Sequence, residues 1–553
     1  MARNTKISSI EDESNLSIPD IDLITLFRKQ VKEHSDKNAV FFKGKFKTYA
    51  QVEEEVNRLS VSLKKLGVKK GSRVAVFLPN CPQFITSFFA VQALGGIFIA
   101  LNPLYSAREV EQRLNDCKPK VFLTLDIFLD KVTKIQKDIS IDHIVVTSVS
   151  RELPTVKKYL YKLITMSKKT SLEGSIDYND LINEGDNTVV KSKIDAETDV
   201  AVLQYTGGTT GTPKGAMLTH KNLIYQTVVL KYWMRKMDKQ PKGQNRVAGV
   251  LPYSHIFGLT STFLWSISEG ATQYLVPDPR KLEEVMQMVH SHKLHFMYCV
   301  PVFFQKFANH KNLKAYNLSS LHICVSGGET LPKATVTVFE KNAGCTLIEG
   351  YGLSEASPVT HLNYPSKKDR RIGSIGVAIP NTKSKIMNTE TGKEITKPLT
   401  PGELWVKGPG VMNGYWKNKK ESDLVLEDGW LKTGDIAQID ENGFYSIVDR
   451  LKDMIIVSGY KVWPNEIEEL LLAHPSVLEA AVVGIRSELG ETIKAILVKK
   501  PDSEELSLED VRSFLKESIA SYELPKLLEY RNELPRTPVG KILRRALRED
   551  TVQ

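Results

Sequence analysis

Cysteine is scarce in this 553-residue chain and badly placed for bonding. The five that occur, Cys81, Cys117, Cys299, Cys324 and Cys345, are scattered, odd in number and never in C-x-x-C spacing. That argues against a disulfide framework and a thiolate metal site, and fits a reducing cytoplasm. The N-terminal stretch MARNTKISSIEDESNLSIPD lacks the apolar core of a secretory signal, so residues 1–20 are expected to form a disordered tail. Long apolar runs are also few. Phe84 to Leu104 is long enough to cross a bilayer, but Gln92, Gly95, Gly96, Asn102 and Pro103 divide it into a helix, a turn and a strand. Acidic residues fall short of basic ones, 65 against 75, leaving a formal charge of +10. With no zinc spacing and no RNP-like aromatic motif, nucleic acid is not the expected partner. Nucleotide phosphates, coenzyme A or an anionic membrane surface would use the same field.

Another absence is the common phosphate loop, G-x-x-x-x-G-K-[ST]. In its place stands YTGGTTGTPKG, where Pro213 parts Thr212 from Lys214 and Gly215 follows the lysine. Gly207, Gly208 and Gly211 alone could mark a tight turn. Together with the hydroxyls of Thr206, Thr209, Thr210 and Thr212 and the charge of Lys214, they make an anion nest. EGYGLSEAS contributes Glu355, a carboxylate suited to Mg²⁺ or to capping a helix. GWLKTGD contributes Asp435, which can hydrogen-bond ribose hydroxyls or merely close a turn.

Apolar runs alternate with helical periods from the N-terminal region onward: RVAVFLP, IFIAL, KVFLTL, VAGVLP, HFMYCVP and HICVSGGE all read as buried strands. This predicts an α/β fold with parallel-rich sheets and crossover helices, with ligands at the carboxyl ends of strands. From about Lys383 the texture turns β-like, and Asn442-Gly443 marks a hairpin. Beyond Asp449 to Asp453 lies a compact α+β tail with strands MIIVSGY, AAVVGI and KAILVKK. Its helices are expected to start at Pro464 and at a Ser507 cap. The expected domains are 21–449 and 450–553. Between Glu152 and Lys169 a basic amphipathic stretch reads as a surface helix or as a contact for an anionic bilayer.

Eight motifs in order strengthen these readings: YTGGTTGTPKG, LPYSHIFG, SGGETL, YGLSEAS, GELWVKGPGVMNGYW, GWLKTGD, DRLKDMIIVSGYKVWPNEIE and LPRTPVGKI. In this set the chain resembles the adenylate-forming superfamily of acyl-CoA synthetases, peptide-synthetase adenylation domains and luciferases, from about residue 20 onward. The resemblance implies a large N-terminal domain that includes a distorted β-barrel, followed by a small mobile domain. It implies ATP, Mg²⁺ and coenzyme A as cofactors, with a homodimer compatible. It implies that Thr206, Gly207, Gly208, Thr209, Thr210, Gly211 and Lys214 hold phosphates. Gly327, Gly328 and Glu329 would line the adenine side, with Tyr351 and Gly352 against the base. Glu355 would hold magnesium, and Asp435 the ribose, with Arg450 beside it. Lys541 would be the catalytic lysine and Lys452 the hinge. Ser458, Gly459, Tyr460 and Lys461 would border the thiol tunnel.

The acid is less closely specified. By resemblance, His255, Val300 and Gly328 border the acyl pocket, and LPYSHIFGL has no Asp to receive an amino group. LNPLYSAREVEQRLNDC, the basic insert and Asp449 look most like long-chain fatty acyl-CoA ligases. The expected activity is therefore a cytoplasmic AMP-forming fatty acid–CoA ligase, with a peripheral membrane contact compatible. A ligase for a short-chain, hydroxylated or aromatic acid stands as the alternative within the class. A γ-phosphoryl transferase or a non-catalytic membrane-binding homologue stands outside it.

Overall fold

The apolar runs that end in Gly, Pro or Ser become the strands of two large sheets. A computed structural model describes residues 16–158, 171–206, 213–457, 460–487, 490–501, 503–537 and 541–549. Gly207, Gly208, Thr209, Thr210, Gly211, Ser458, Gly459, residues 1–15 and the basic stretch beyond Lys158 lie outside the described residues. In the nine-stranded sheet, Thr346–Gly352, Ile323–Ser326, Phe296–Cys299, Arg246–Gly249, Thr272–Leu275 and Asn38–Phe42 run parallel. In the seven-stranded sheet the parallel order is broken at one edge, where Lys214–Thr219 pairs antiparallel with Val200–Thr206.

The main core joins the two sheets. The helix Pro82–Ala93 is buried along its whole length, with Pro82 at its first turn. Phe84 and Phe88 meet Phe98 of the seven-stranded sheet edge-on, at 5.4 and 5.0 Å between ring centres. Phe88 also meets Phe263 at 5.2 Å. Each such ring contributes on the order of 2–3 kcal/mol by leaving water. This is why the long apolar stretch is a core helix followed by the strand Ile97–Ala100. No described helix is long and apolar enough to cross a membrane.

The turn-rich region forms a five-stranded antiparallel sheet built on Lys383–Met387, Gly402–Lys407, Trp430–Ile439, Leu426–Glu427 and Tyr445–Arg450. A short 3-10 turn, Leu451–Asp453, leads from it into the C-terminal unit. That unit has its own core, including Ile455, Val482, Ile493, Leu497 and Val511. Ser507 caps its helix Leu508–Leu515 through a capping box with Asp510. One expectation is corrected here. MIIVSGY is two short strands, Ile455–Val457 and Tyr460–Val462, folded back antiparallel with Val457 opposite Tyr460. Apolar character runs through both halves, so periodicity alone does not reveal that they pair with each other.

Candidate active site

Strand ends and loops from both parts of the chain meet at one cleft of about 1850 Å³. Thr206 and Lys214 are cross-strand partners at the base of the glycine/threonine loop, and the Thr206 hydroxyl donates to the Lys214 carbonyl at 3.4 Å. The Lys214 ammonium pairs with Glu421 and lies 5.5 Å from the Tyr415 ring centre. Tyr415 in turn donates to Glu355 Oε1 at 2.7 Å. Glu355 itself sits in the one-turn 3-10 segment Ser354–Ala356, after the strand Thr346–Gly352. A Cβ on Gly352 would stand 2.0 Å from the Pro358 carbonyl oxygen, so only glycine fits this crossing.

The nucleoside end is built from antiparallel partners. Asp435 faces Arg450 across the strands, and Arg450 Nε lies 3.3 Å from Asp435 Oδ1. Tyr351 donates its hydroxyl proton to Asp435 Oδ2 at 2.6 Å. Burial first, and then the Asp435 charge, push the Tyr351 phenol far above its ordinary range, so it remains a donor. Glu349, deeper on the same strand, accepts from the Leu331 amide at 3.2 Å, and burial pushes its carboxyl up to about 8. Gly327 and Gly328 follow the strand Ile323–Ser326, Gly328 at a φ of +95° that favours glycine.

Lys541 completes the cleft from the C-terminal side. Burial lowers its ammonium to about 8, aided by the Arg450 charge and opposed by Asp435, Glu329 and Glu355. Its Cε would lie 3.8 Å from a Cβ on Gly328. His255 lines the same space, and its ring Nδ1 accepts from the Phe257 amide at 3.3 Å. Burial, with the Lys541 charge, lowers that imidazole to about 3, so it is a neutral wall. Val300, expected at the acyl pocket, is not among the residues lining the cleft, although its Cγ1 would lie 3.7 Å from a Cβ on Gly328; Pro301 and Val302 line the cleft instead.

Tyr460, Lys461 and Glu329 have side-chain partners that the motifs alone do not indicate. Tyr460 stacks on Tyr522 at 4.4 Å, and Lys461 pairs with Glu390 at 2.6 Å, both outside the cleft lining. The Glu329 side chain accepts from the Ile542 amide at 2.8 Å, so its carboxylate meets the C-terminal unit. Lys452 lies at the cleft within the 3-10 turn Leu451–Asp453. Sequence reading assigned no role to Tyr415, Glu421 or Arg536. Tyr415 stands inside a quoted motif, so its aromatic ring was a usable signal. Arg536 stands inside another, LPRTPVGKI, while Glu421 lies outside every motif and its partner Lys214 is remote in sequence.

Comparison with known proteins follows the same lines. The sequence signature of AMP-binding enzymes matches residues 27–416, and that of the AMP-binding enzyme C-terminal domain matches residues 466–541. A long-chain-fatty-acid–CoA ligase of Bacillus subtilis (strain 168) is 40% identical over 97% of this chain and 96% of that protein. One from Escherichia coli O6:H1 is 36% identical over 96% of this chain and 94% of its own length. Among solved structures, an anthranilate CoA ligase in complex with anthranoyl-AMP superposes with a TM-score of 0.85 at 27% identity, over 97% of this chain and 98% of the other.

Proposed function

We propose, on the premise that the chain belongs to the AMP-binding enzyme family, that it is an AMP-forming acid–CoA ligase acting on a long-chain fatty acid. The observation that carries this reading is Lys541 within the electrostatic reach of Glu355 and Asp435, in the cleft that Thr206 and Lys214 also line. A carboxylic acid is ionised at neutral pH, so the first step needs no general base. It needs two anions brought together, and Lys541, still largely cationic at pH 7, supplies the intervening charge. Thr206 and Lys214, with Gly207, Gly208, Thr209, Thr210 and Gly211 between them, hold the outer phosphates. Lys214 exchanges Glu421 for phosphate oxygen as it does so.

The carboxylate oxygen bonds to the α-phosphorus as the α–β bridging bond breaks, and pyrophosphate leaves. Asp435 accepts from the ribose hydroxyls, Arg450 holds Asp435, and Tyr351 and Gly352 face the base. In the second step the coenzyme A sulfur bonds to the acyl carbon. The bond to AMP breaks, AMP leaves, and the thiol proton passes to solvent. We assign the second step to an orientation in which the C-terminal unit turns about Lys452 and brings Ser458, Gly459, Tyr460 and Lys461 to the cleft. Glu355 fits magnesium: one carboxylate in a phosphate-binding cleft is the protein share that Mg²⁺ commonly takes. When bound, the ion would offset phosphate charge.

Peripheral membrane contact extends the same reading. Val156 is 73% exposed and is followed by the exposed Lys157 and Lys158, a pattern suited to an anionic bilayer that delivers a sparingly soluble acid. Salt-sensitive binding to anionic vesicles that survives deletion of Pro154–Lys169 would contradict it. A second reading, an aromatic acid as substrate, draws on the likeness to the anthranilate ligase. The deciding experiment is nucleotide product analysis with Mg-ATP and palmitate, octanoate or anthranilate, with and without coenzyme A. AMP and pyrophosphate with palmitate, and thioester only after the thiol is added, are expected. ADP as the nucleotide product would overturn the ligase reading.

A further inference from the structure

Lys541 does not enter the cleft on a free tail. The segments flanking it pair with each other: Arg536 and Ile542 form an antiparallel bridge, and the Thr537 amide donates to the Lys541 carbonyl at 2.7 Å. The Lys541 amide donates back to Thr537 Oγ1 at 3.2 Å. Whatever holds this stem therefore sets where the ammonium points.

One carboxylate from the N-terminal part reaches both sides of the stem. Glu329 Oε1 accepts the Ile542 amide at 2.8 Å, and Glu329 Oε2 lies 3.5 Å from Arg536 Nη1. The other arm of Arg536 donates to Glu479 Oε2 at 2.8 Å, tying the stem to the strand Val477–Ser487 of its own unit. The ion pair Lys333–Glu469 between the two parts is more exposed. Lys333 and Glu469 are 3.7 Å apart with side chains 64% and 53% exposed, whereas those of Arg536 and Glu329 are 20% and 23% exposed. A partly buried, charge-assisted contact outweighs such a surface pair.

We propose that Glu329 is the catch that holds the C-terminal unit with Lys541 inward, and that Arg536 is its positioning partner. The inference rests on the ligase reading and on its two orientations. Presenting the opposite face requires Ile542 and Arg536 to leave Glu329, so the contact stabilises one orientation alone. A contact shifts such an equilibrium only by its difference between the two states. Its removal should therefore weaken adenylation and spare thioester formation.

The test measures the two half-reactions separately on the full chain. One assay is palmitate-dependent pyrophosphate–ATP exchange; the other is palmitoyl-CoA formation from supplied palmitoyl-adenylate. Arg536→Met should lower exchange about tenfold while thioester formation stays within about twofold of wild type. Glu329→Ala should lower exchange at least as much, and Glu329→Gln less, because its amide oxygen can still accept from Ile542. The double variant Arg536→Met/Glu329→Ala should be no slower in exchange than Glu329→Ala alone, since Glu329→Ala already removes the contact between the two residues. Because Arg536 also holds Glu479, general loosening of the C-terminal unit is a competing cause. It would lower both half-reactions together and leave Glu329→Ala unaffected, and that pattern overturns the catch. If the wild-type protein itself shows no palmitate-dependent exchange, the ligase reading fails, and the catch fails with it.

Discussion

Lys541 and Lys461 belong to the same small C-terminal unit and sit in opposite surroundings. Lys541 is in the cleft, its ammonium lowered to about 8 by burial and by Arg450. Lys461 is near the surface, 46% exposed, and holds Glu390 across 2.6 Å. Burial and neighbouring charge act on the first, whereas the second makes a solvent-exposed ion pair. Both lie in stretches that resemble functional motifs, so sequence gives them similar standing. The difference is one of orientation: a single placement of the unit can present one face to the acid and not the other.

The largest expected effect breaks the comparison at its buried end. Lys541→Met should cut palmitate-dependent pyrophosphate exchange by about 10²–10³-fold, the usual loss for a preorganised charge. Thioester formation from supplied palmitoyl-adenylate should change little. A Lys452→Pro substitution restricts φ in the connecting turn and should separate the two half-reaction rates by about tenfold. Equal loss in both assays would count against Lys452 as the hinge. A pH series sharpens the electrostatic side. As pH rises through about 8 the Lys541 ammonium loses its proton, so exchange should fall to about half of its plateau there. Lys541→Met should lose that descending limb. The smallest effect belongs to the exposed end: Lys461→Ala should leave exchange within about twofold of wild type. Its expected mark is slower thioester formation in the second assay.

Much of this arrangement is legible in the sequence. Strands such as Ile323–Ser326 and Phe296–Cys299 announced themselves as apolar runs closed by Gly or Pro, and the Ser507 cap was readable from local chemistry alone. Asp435 and Arg450 could be named, though only resemblance placed them together; their adjacency is a matter of antiparallel register. Partners remote in sequence were not readable, even where the residue itself stands inside a motif. Tyr415 acquires its role from Glu355 at 2.7 Å, and Glu421 from Lys214. By resemblance Glu329 was expected to line the adenine side; its side-chain partners Ile542 and Arg536, in the C-terminal unit, were not announced by the sequence. Periodicity reports which face of an element is buried, but not which remote side chain meets it there.

The central claim is that the cleft joins a carboxylate oxygen to the α-phosphorus of ATP. Palmitate labelled with ¹⁸O in its carboxyl group, turned over with Mg-ATP and coenzyme A, tests this by mass spectrometry of the products. Attack at the α-phosphorus leaves one ¹⁸O in the phosphate of AMP and none in pyrophosphate. Label in orthophosphate accompanied by ADP would place the attack at the γ-phosphorus and contradict it.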